Sequence, residues 1–179
     1  MRLFISITFS NAFIEVIDDI IKIIKPRILR GSYVRRENLH LTLVFVGESD
    51  RLEDISRICR EAMRKDMLSP VWLRLKGIGK FKSSDGDIIW LGVDDSPALS
   101  WYVSRLEDKL ISEGFDIQKR EFFPHITLVR RVKGFKILKM VIPPVEMKVS
   151  KISILRSEVV SGVRVYTEVD KIDLPRRFR

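Results

Sequence analysis

The sequence predicts an α+β fold built mainly from antiparallel sheets with flanking helices. Segments with apolar residues at helical spacing alternate with short segments typical of strands. Strand–helix units are mixed with direct strand pairs, an order that favours antiparallel pairing over a regular parallel sheet. A five-residue string that begins at His40 also returns at His125, a displacement of 85 residues in a chain of 179. A duplicated half with pseudo-twofold symmetry is the simplest explanation of this repeat.

The elements follow from hydrophobic periodicity and from the residues that interrupt it. Apolar residues alternate over 2–9, which predicts a strand. Asn11 is then placed to cap a helix over 13–24, where apolar residues follow a period of 3.6 until Pro26. Further strands are predicted over 39–46, 71–75, 88–93, 124–129, 147–155 and 163–169, and further helices over 52–67 and 97–113. No low-complexity linker divides the chain, so we expect one domain over 1–179.

The charge of the chain favours a polyanionic partner. There are 33 Lys and Arg against 24 Asp and Glu, which gives a net charge of +9 and a pI near 9.8. Such a surplus attracts nucleic acid and makes its binding sensitive to salt. The alternative is that the charge only keeps the protein in solution. Charge is therefore only supporting evidence for nucleic acid as the partner.

The cysteine count and the length of the apolar runs indicate where in the cell the protein is expected. A single cysteine excludes an intrachain disulfide, and Cys59 falls at helical spacing, where it is expected to be buried. No apolar run approaches the length needed to cross a bilayer, so we expect a cytoplasmic location without a membrane partner. We also expect a monomer. One Gln and two Asn in the whole chain suggest a thermophilic source.

The only two histidines of the chain both begin the string His-x-Thr-Leu-Val. Chance agreement at these positions after both histidines is on the order of one in ten thousand. Residues two apart in a strand project from one face, so His40 lies beside Thr42 and His125 beside Thr127. An unsatisfied buried polar group costs about 1 to 3 kcal/mol, so these side chains need partners or a wet cleft. The repeat therefore favours a functional pair over two structural histidines.

These strings resemble those of the 2H phosphoesterase superfamily, specifically its RNA 2',3'-cyclic phosphodiesterases, also called 2'-5' RNA ligases. The resemblance is carried by ENLHLTL at 37–43 and by FPHITLVR at 123–130. It extends to the opening RLFISI at 2–7 and to 154–169, which is similar to the family's final strand pair. Where the family often has Ala, this chain has Val129, a change of little consequence. The resemblance covers nearly the whole chain.

The resemblance implies a two-lobed fold of two antiparallel sheets, with the histidines meeting across a central cleft. It implies that His125 accepts a proton and that His40 donates one. Thr42 and Thr127 would donate hydrogen bonds to phosphate oxygens as charge develops there. Arg130 matches the family's basic residue after the second motif and could contact phosphate. Strict strand alternation, however, places Arg130 on the face opposite His125.

No metal site and no cofactor is predicted. Two histidines without clustered cysteines or carboxylates do not supply the three protein ligands of a usual catalytic zinc. Because an imidazole titrates near 6.5, one histidine can be neutral while the other is charged, as metal-free acid–base catalysis requires. Phe9, Tyr33 and Phe122 could stack a base, but we interpret them as core residues. The basic tail at 176–179 is interpreted as a solvated terminus.

These observations predict an enzyme that opens terminal RNA 2',3'-cyclic phosphates to 2'-phosphates. The same histidines acting in reverse would join RNA halves, such as tRNA fragments, through 2'-5' bonds, with a nucleotide bound. A third interpretation is a non-catalytic basic RNA-binding module in which the duplicated strands are structural. No RNP-type aromatic pattern appears on the strands, which weakens this third interpretation.

Overall fold

The computed structural model describes residues 1–63, 71–94, 96–136 and 141–174. Three α-helices and nine strands are found in these residues, and all strand pairs are antiparallel. The elements are β1 (Arg2–Thr8), α1 (Asn11–Ile24), β2 (Arg30–Tyr33), β3 (His40–Glu48), α2 (Leu52–Ala62), β4 (Trp72–Phe81), β5 (Asp87–Val93), α3 (Pro97–Ser112), β6 (His125–Lys133), β7 (Glu146–Lys148), β8 (Lys151–Val160) and β9 (Val163–Asp173). The predicted α+β class is confirmed.

The strands follow the order β7-β4-β5-β6-β3-β1-β8-β9, and β2 pairs with β6. The centre of this order is narrow, because β3 and β6 share a single register pair, Leu41 with Ile126. This joint separates a group formed by β3, β1, β8 and β9 from a group formed by β6, β5, β4, β7 and β2. The two histidine strands are therefore neighbours at the middle of the molecule. The pseudo-twofold duplication of whole halves stays a prediction.

Helix α1 shows where local chemistry sets an element boundary. The Ser10 side chain accepts a hydrogen bond from the Phe13 backbone N–H, so Ser10 caps the helix and Asn11 is its first residue. The prediction that Asn11 is the cap was wrong, because β1 ends at Thr8 and the chain turns one residue earlier. Phe13, Ile17, Ile20 and Ile24 lie on one buried face of the helix, as the period of 3.6 predicted.

Several elements differ from the prediction, and β4 continues to Phe81 although the strand was predicted to end at residue 75. Strand β2 was missed, because its sequence RGSY lacks alternating apolar residues. The segment 147–155 forms two strands instead of one, and β7 pairs with β4 while β8 pairs with β1. Helix α2 ends at Ala62, whereas the helix was predicted to continue to residue 67. Residues 64–70 and the basic tail at 176–179 lie outside the described residues.

The core lies between the helices and one face of the strands. Leu41, Leu43, Ile126 and Leu128 are all at most 5% exposed, which confirms their predicted inward orientation. Cys59 is fully buried, and burial raises the pKa of its thiol to about 12, as expected of an inert small apolar residue. No helix among the described residues is long and apolar enough to cross a membrane.

Candidate active site

His40 is the first residue of β3, and two hydrogen bonds fix its ring. Its Nδ1–H donates to the backbone carbonyl of Asn38 at 2.7 Å, which leaves Nε2 unprotonated in the neutral ring. Nε2 lies 3.0 Å from Thr42 Oγ1, so the hydroxyl donates to it. The predicted side-by-side placement of His40 and Thr42 is therefore present. In the neutral ring, Nε2 is the nitrogen that is free to take a proton.

His125 is the first residue of β6, and its ring is held by a hydrogen bond at Nδ1 only. Its Nδ1–H donates to the carbonyl of Phe123 at 2.8 Å, again two residues earlier in the chain. Within the described residues, neither Nε2 of His125 nor the hydroxyl of Thr127 has a hydrogen-bond partner. Both groups are thus available to a ligand.

The register of the two central strands brings the predicted residues together. Because Leu41 pairs with Ile126 in an antiparallel ladder, His40 lies opposite Thr127 and Thr42 lies opposite His125. Directly opposed residues project from the same face, so all four polar side chains share the face that lies away from the core. The repeated string thus forms one polar floor from two strands that begin 85 residues apart.

Arg130 also reaches this face, because β6 contains a β-bulge. Ile89 pairs with Val129 while Trp90 pairs with Thr127, so Leu128 is the extra residue. Leu128 and Val129 are consequently both buried, and the alternation is shifted by one residue from Val129 onward. The expectation that Arg130 lies opposite His125 was therefore wrong. The charge of Arg130 lowers the pKa of both histidines, in accord with its position on their side of the sheet.

The same irregularity occurs in β3, where Ile5 pairs with Val44 and Ser6 pairs with Thr42. Leu43 and Val44 are both buried, and the next residue, Phe45, is 67% exposed. Each histidine strand thus carries a bulge at its Leu-Val pair. The residue that the bulge turns outward is apolar in one strand and cationic in the other.

Burial lowers the pKa of His40 to about 4, although the hydrogen bond to the Asn38 carbonyl opposes this effect. The positive charges of Arg130 and His125 lower the pKa of His40 further. Burial also lowers the pKa of His125, against the effect of the Phe123 carbonyl, and Arg130 contributes in the same direction. Both imidazoles are therefore neutral at pH 7 when the site holds no anion.

Aromatic rings enclose each histidine, and the sequence did not identify them as site residues. The His40 ring lies 5.0 Å from Phe4 and 5.1 Å from Tyr166 between ring centroids. The rings around His125 are Phe81 at 5.1 Å, Phe123 at 5.9 Å and Trp90 at 6.3 Å. The signal that could have found some of them is their spacing, since Phe123 precedes His125 by two residues.

The aromatics that were considered for base stacking lie elsewhere. Phe9, Tyr33 and Phe122 are partly buried and pack against the hydrophobic core, which confirms their interpretation as core residues. Among the described residues, no group of three or more His, Cys, Asp or Glu side chains is arranged to hold a metal ion. The site is thus built from two imidazoles, two hydroxyls, one guanidinium and a surround of aromatic rings.

Known proteins resemble this chain in sequence and in fold. A family model described as the 2'-5' RNA ligase superfamily matches residues 13–160. The chain is 31% identical to a Thermotoga maritima protein named RNA 2',3'-cyclic phosphodiesterase, over 93% of this chain and 91% of that one. It is similar to the crystal structure of a Thermus thermophilus protein, with a TM-score of 0.82, 24% identity, and 97% and 98% of the two chains covered. It is also similar to E. coli LigT complexed with 3'-AMP, with a TM-score of 0.75, 27% identity and 98% of each chain covered.

A histidine and a threonine on each of two neighbouring antiparallel strands are in accord with the class of 2H phosphoesterases, and the family match shows that class. The chain belongs to the 2'-5' RNA ligase superfamily of 2H phosphoesterases, in its RNA 2',3'-cyclic phosphodiesterase family, and is an enzyme.

Proposed function

We propose that this enzyme hydrolyses terminal RNA 2',3'-cyclic phosphates to 2'-phosphates, with His40 and His125 as its acid–base pair. The observation that carries this proposal is the matched pair of imidazoles on adjacent strands. Each has its Nδ1–H bound to a backbone carbonyl, so that Nε2 is left for the reaction. The name of the Thermotoga maritima relative, RNA 2',3'-cyclic phosphodiesterase, supports the substrate class.

In the proposed reaction, His125 Nε2 removes a proton from a water molecule, whose oxygen forms a bond to phosphorus. The bond between phosphorus and the 3' oxygen breaks in line with this attack, and His40 donates a proton to the departing oxygen. The phosphate remains on the 2' oxygen. One water is consumed, and the proton held by His125 returns to solvent as His40 is protonated again.

In this proposal, His40 becomes able to act as the general acid only when the substrate phosphate is bound. With a pKa of about 4 in the free enzyme, His40 is almost wholly neutral at pH 7 and cannot donate. A phosphate anion beside the rings favours the charged imidazolium and raises the pKa of both histidines. Substrate binding thereby favours the protonated His40 that the leaving 3' oxygen needs, whereas the His40 imidazole is neutral without substrate.

Three further groups bind the phosphate in this proposal. Thr42 and Thr127 donate hydroxyl hydrogen bonds to the non-bridging oxygens, where charge grows in the transition state. Thr42 becomes available for this role when His40 is protonated, because its hydroxyl then no longer donates to Nε2. Arg130 neutralises the same oxygens, and it makes no ion pair within the described residues. Phe81 and Phe123, which are 38% and 49% exposed, offer ring faces to the terminal base.

The test is to identify the product from an RNA that ends in a 2',3'-cyclic phosphate, after treatment of the enzyme with EDTA. The proposal predicts a 2'-phosphate end at an undiminished rate. A 3'-phosphate end would refute the in-line geometry, and a rate restored only by added metal would refute the metal-free mechanism. Formation of a 2'-5' linked product from two RNA pieces would favour the ligase alternative. Binding without turnover would favour the RNA-binding module.

A further inference from the structure

A second concave feature lies along β6 from His125, at the edge where β2 joins. This β2–β6 pocket has a volume of about 370 Å³. Its lining residues come from β2, from β6 and from the turn before β5: Arg30, Gly31, Ser32, Asp85, Arg131 and Lys133. Three of these six residues are cationic and one is a carboxylate, so the described lining carries a positive excess. Arginine together with a hydroxyl is a donor set that suits phosphate oxygens.

The β2–β6 pocket opens on the same face of the sheet as the histidines. A Cβ added at Gly31 would lie 2.7 Å from a valine side chain of the core, so this position faces inward. Its neighbours Arg30 and Ser32 therefore project from the opposite face. Arg131 Nη2 donates to Ser32 Oγ at 3.1 Å, so its guanidinium lies on that face too. This is the face on which β6 exposes His125, because the core-facing residues of β6 lie on the other side.

The backbone is strained where it directs Arg131 into the β2–β6 pocket. Arg131 has a φ of 55°, in the left-handed region that residues other than glycine rarely adopt. The turn before β5 packs against it through Gly86, where an added Cβ would lie 2.8 Å from the Arg131 carbonyl carbon. Left-handed backbone at a non-glycine residue persists only where the surroundings impose it, and it is concentrated at functional sites.

The cations of the β2–β6 pocket have no ion-pair partner in the part of the chain that the structure describes. Within the described residues, Arg30, Arg131 and Lys133 form no salt bridge. By contrast, Arg51 and Arg57 on and beside α2 each pair with carboxylates. Asp85, which lines the pocket, is likewise without an ion pair there. The pocket thus holds unneutralised positive charge in a concave, backbone-defined setting.

We infer that the β2–β6 pocket binds a backbone phosphate of the RNA upstream of the reacting terminus. The inference rests on the proposed function, because the histidines hold the 3' end and the strand must leave the site in the 5' direction. From His125 to Arg131 is six residues of strand, at most about 20 Å. Arg130 lies between the two sites on the same face. A continuous cationic path therefore joins the reacting phosphate to the β2–β6 pocket.

The test compares 2',3'-cyclic substrates of increasing length, from the cyclic mononucleotide upward, in the full-length enzyme. We expect kcat/KM to rise once the RNA is long enough to place a phosphate in the β2–β6 pocket. Arg30→Gln should lower kcat/KM of the longer RNA about tenfold, a larger loss than for the mononucleotide. The slope of log affinity against log salt concentration should also become shallower, by about 0.7 for each phosphate of a single strand that is no longer neutralised.

Two further substitutions in the β2–β6 pocket and one control substitution outside it complete the test. Arg131→Asn removes the guanidinium but retains a residue that adopts left-handed backbone readily, so the melting temperature should be maintained while the longer RNA is turned over more slowly. Asp85→Asn removes the negative charge from the pocket lining and should raise kcat/KM of the longer RNA. Lys22→Gln, an exposed cation on α1, makes the same change of net charge elsewhere as Arg30→Gln and serves as the matched control.

Equal losses at every substrate length, or an equal loss in Lys22→Gln, would overturn the inference and leave the proposed function intact. Absence of turnover with every cyclic phosphate would instead refute the proposed function. The β2–β6 pocket is then tested by the dissociation constant of a long RNA with a 2'-phosphate end. Unchanged affinity in Arg30→Gln and Arg131→Asn would exclude the pocket, and weakened affinity in both would support it.

Discussion

The two histidine strands carry the same His-x-Thr-Leu-Val string, but the surroundings of their histidines differ. In both, Nδ1–H donates to the carbonyl two residues earlier, and in both a bulge follows at Leu-Val. The ring of His40 is also held at Nε2 by Thr42, whereas Nε2 of His125 has no partner in the described part of the chain. The fifth residue after the histidine is Phe45 in one strand and Arg130 in the other. The two copies of the motif thus have different surroundings, in line with the different acid and base roles proposed for His40 and His125.

The largest effect should come from removing either imidazole. His40→Ala and His125→Ala should each lower kcat by about 10²- to 10⁴-fold, the usual contribution of a general acid or base. The proteins should stay folded, because both rings lie on the polar face rather than in the core. Rates measured on a 2',3'-cyclic mononucleotide, with circular dichroism as the folding control, check this. Full activity in either variant would rule out the paired mechanism.

The pH dependence should follow the pKa values of the free and bound enzyme. Because the pKa of each histidine lies below 6.5 in the free enzyme, kcat/KM should fall above pH 6.5, by about tenfold per pH unit. Bound phosphate raises both pKa values, so the profile of kcat should lie at higher pH than that of kcat/KM. Initial rates over a pH series give both profiles. A kcat/KM that stays constant up to pH 8 would contradict the lowered pKa values.

A moderate effect is expected on the His40 side from Asn38, a buried residue that links β3 to β9. Its Nδ2 donates to the Arg164 carbonyl at 2.9 Å, and its Oδ1 accepts from the Tyr166 N–H at 3.2 Å. Asn38→Ala leaves both backbone groups unpaired, which should cost about 2 kcal/mol of stability. It should also lower kcat more than it changes KM. The Asn38 side chain anchors the backbone whose carbonyl orients His40, so its loss lets that carbonyl shift.

Thermal unfolding and steady-state kinetics measure the two consequences of Asn38→Ala. The matched control is Asn11→Ala, at the exposed first residue of α1, which should change little. Equal effects of the two substitutions would show that Asn38 does not position His40.

A smaller effect is expected on the His125 side from Gly79. An added Cβ there would lie 2.1 Å from the Trp90 ring, which packs 4.9 Å from Phe123 beside His125. Gly79→Ala must displace that ring and should cost about 1 to 3 kcal/mol of stability with a several-fold loss of kcat/KM. The pKa of His40 should not change. Stability, kcat/KM and tryptophan fluorescence report the displacement.

Gly77→Ala is the control for this substitution, since it lies in the same strand and an added Cβ there meets nothing within 4 Å. If Gly77→Ala and Gly79→Ala behave alike, Trp90 does not support His125.

The elements that the sequence predicted well are those with strong periodicity. The buried face of α1 and the inward Leu and Ile residues of β3 and β6 follow directly from spacing. That each histidine lies on the same strand face as its threonine required only the alternation of strand residues, whereas the meeting of the two histidine strands was implied by the family resemblance. Arg130 could not be placed, because a bulge at Leu128 is set by pairing with β5 and not by the local string. Strand β2 was missed for a similar reason, since its four residues are held by β6.

The aromatic residues around the two histidines could not be predicted from the sequence either. Tyr166 reaches His40 from β9, 126 positions away in the chain, through the topology of the sheet. Phe81 and Trp90 reach His125 from two other strands. These contacts determine how strongly each imidazole is desolvated. The motif therefore predicts which histidines and threonines form the site, and the tertiary structure determines the pKa values of the two imidazoles.

The most direct test of this asymmetry is an NMR titration of the two imidazoles, which are the only histidines in the chain. We expect both rings in the Nδ1–H tautomer, with His40 titrating near pH 4 and His125 titrating below the ordinary value of 6.5. Addition of a non-hydrolysed 2'-phosphate nucleotide should move both titrations to higher pH. A pKa of His40 at or above 6.5, or an Nε2–H tautomer at either ring, would contradict the account.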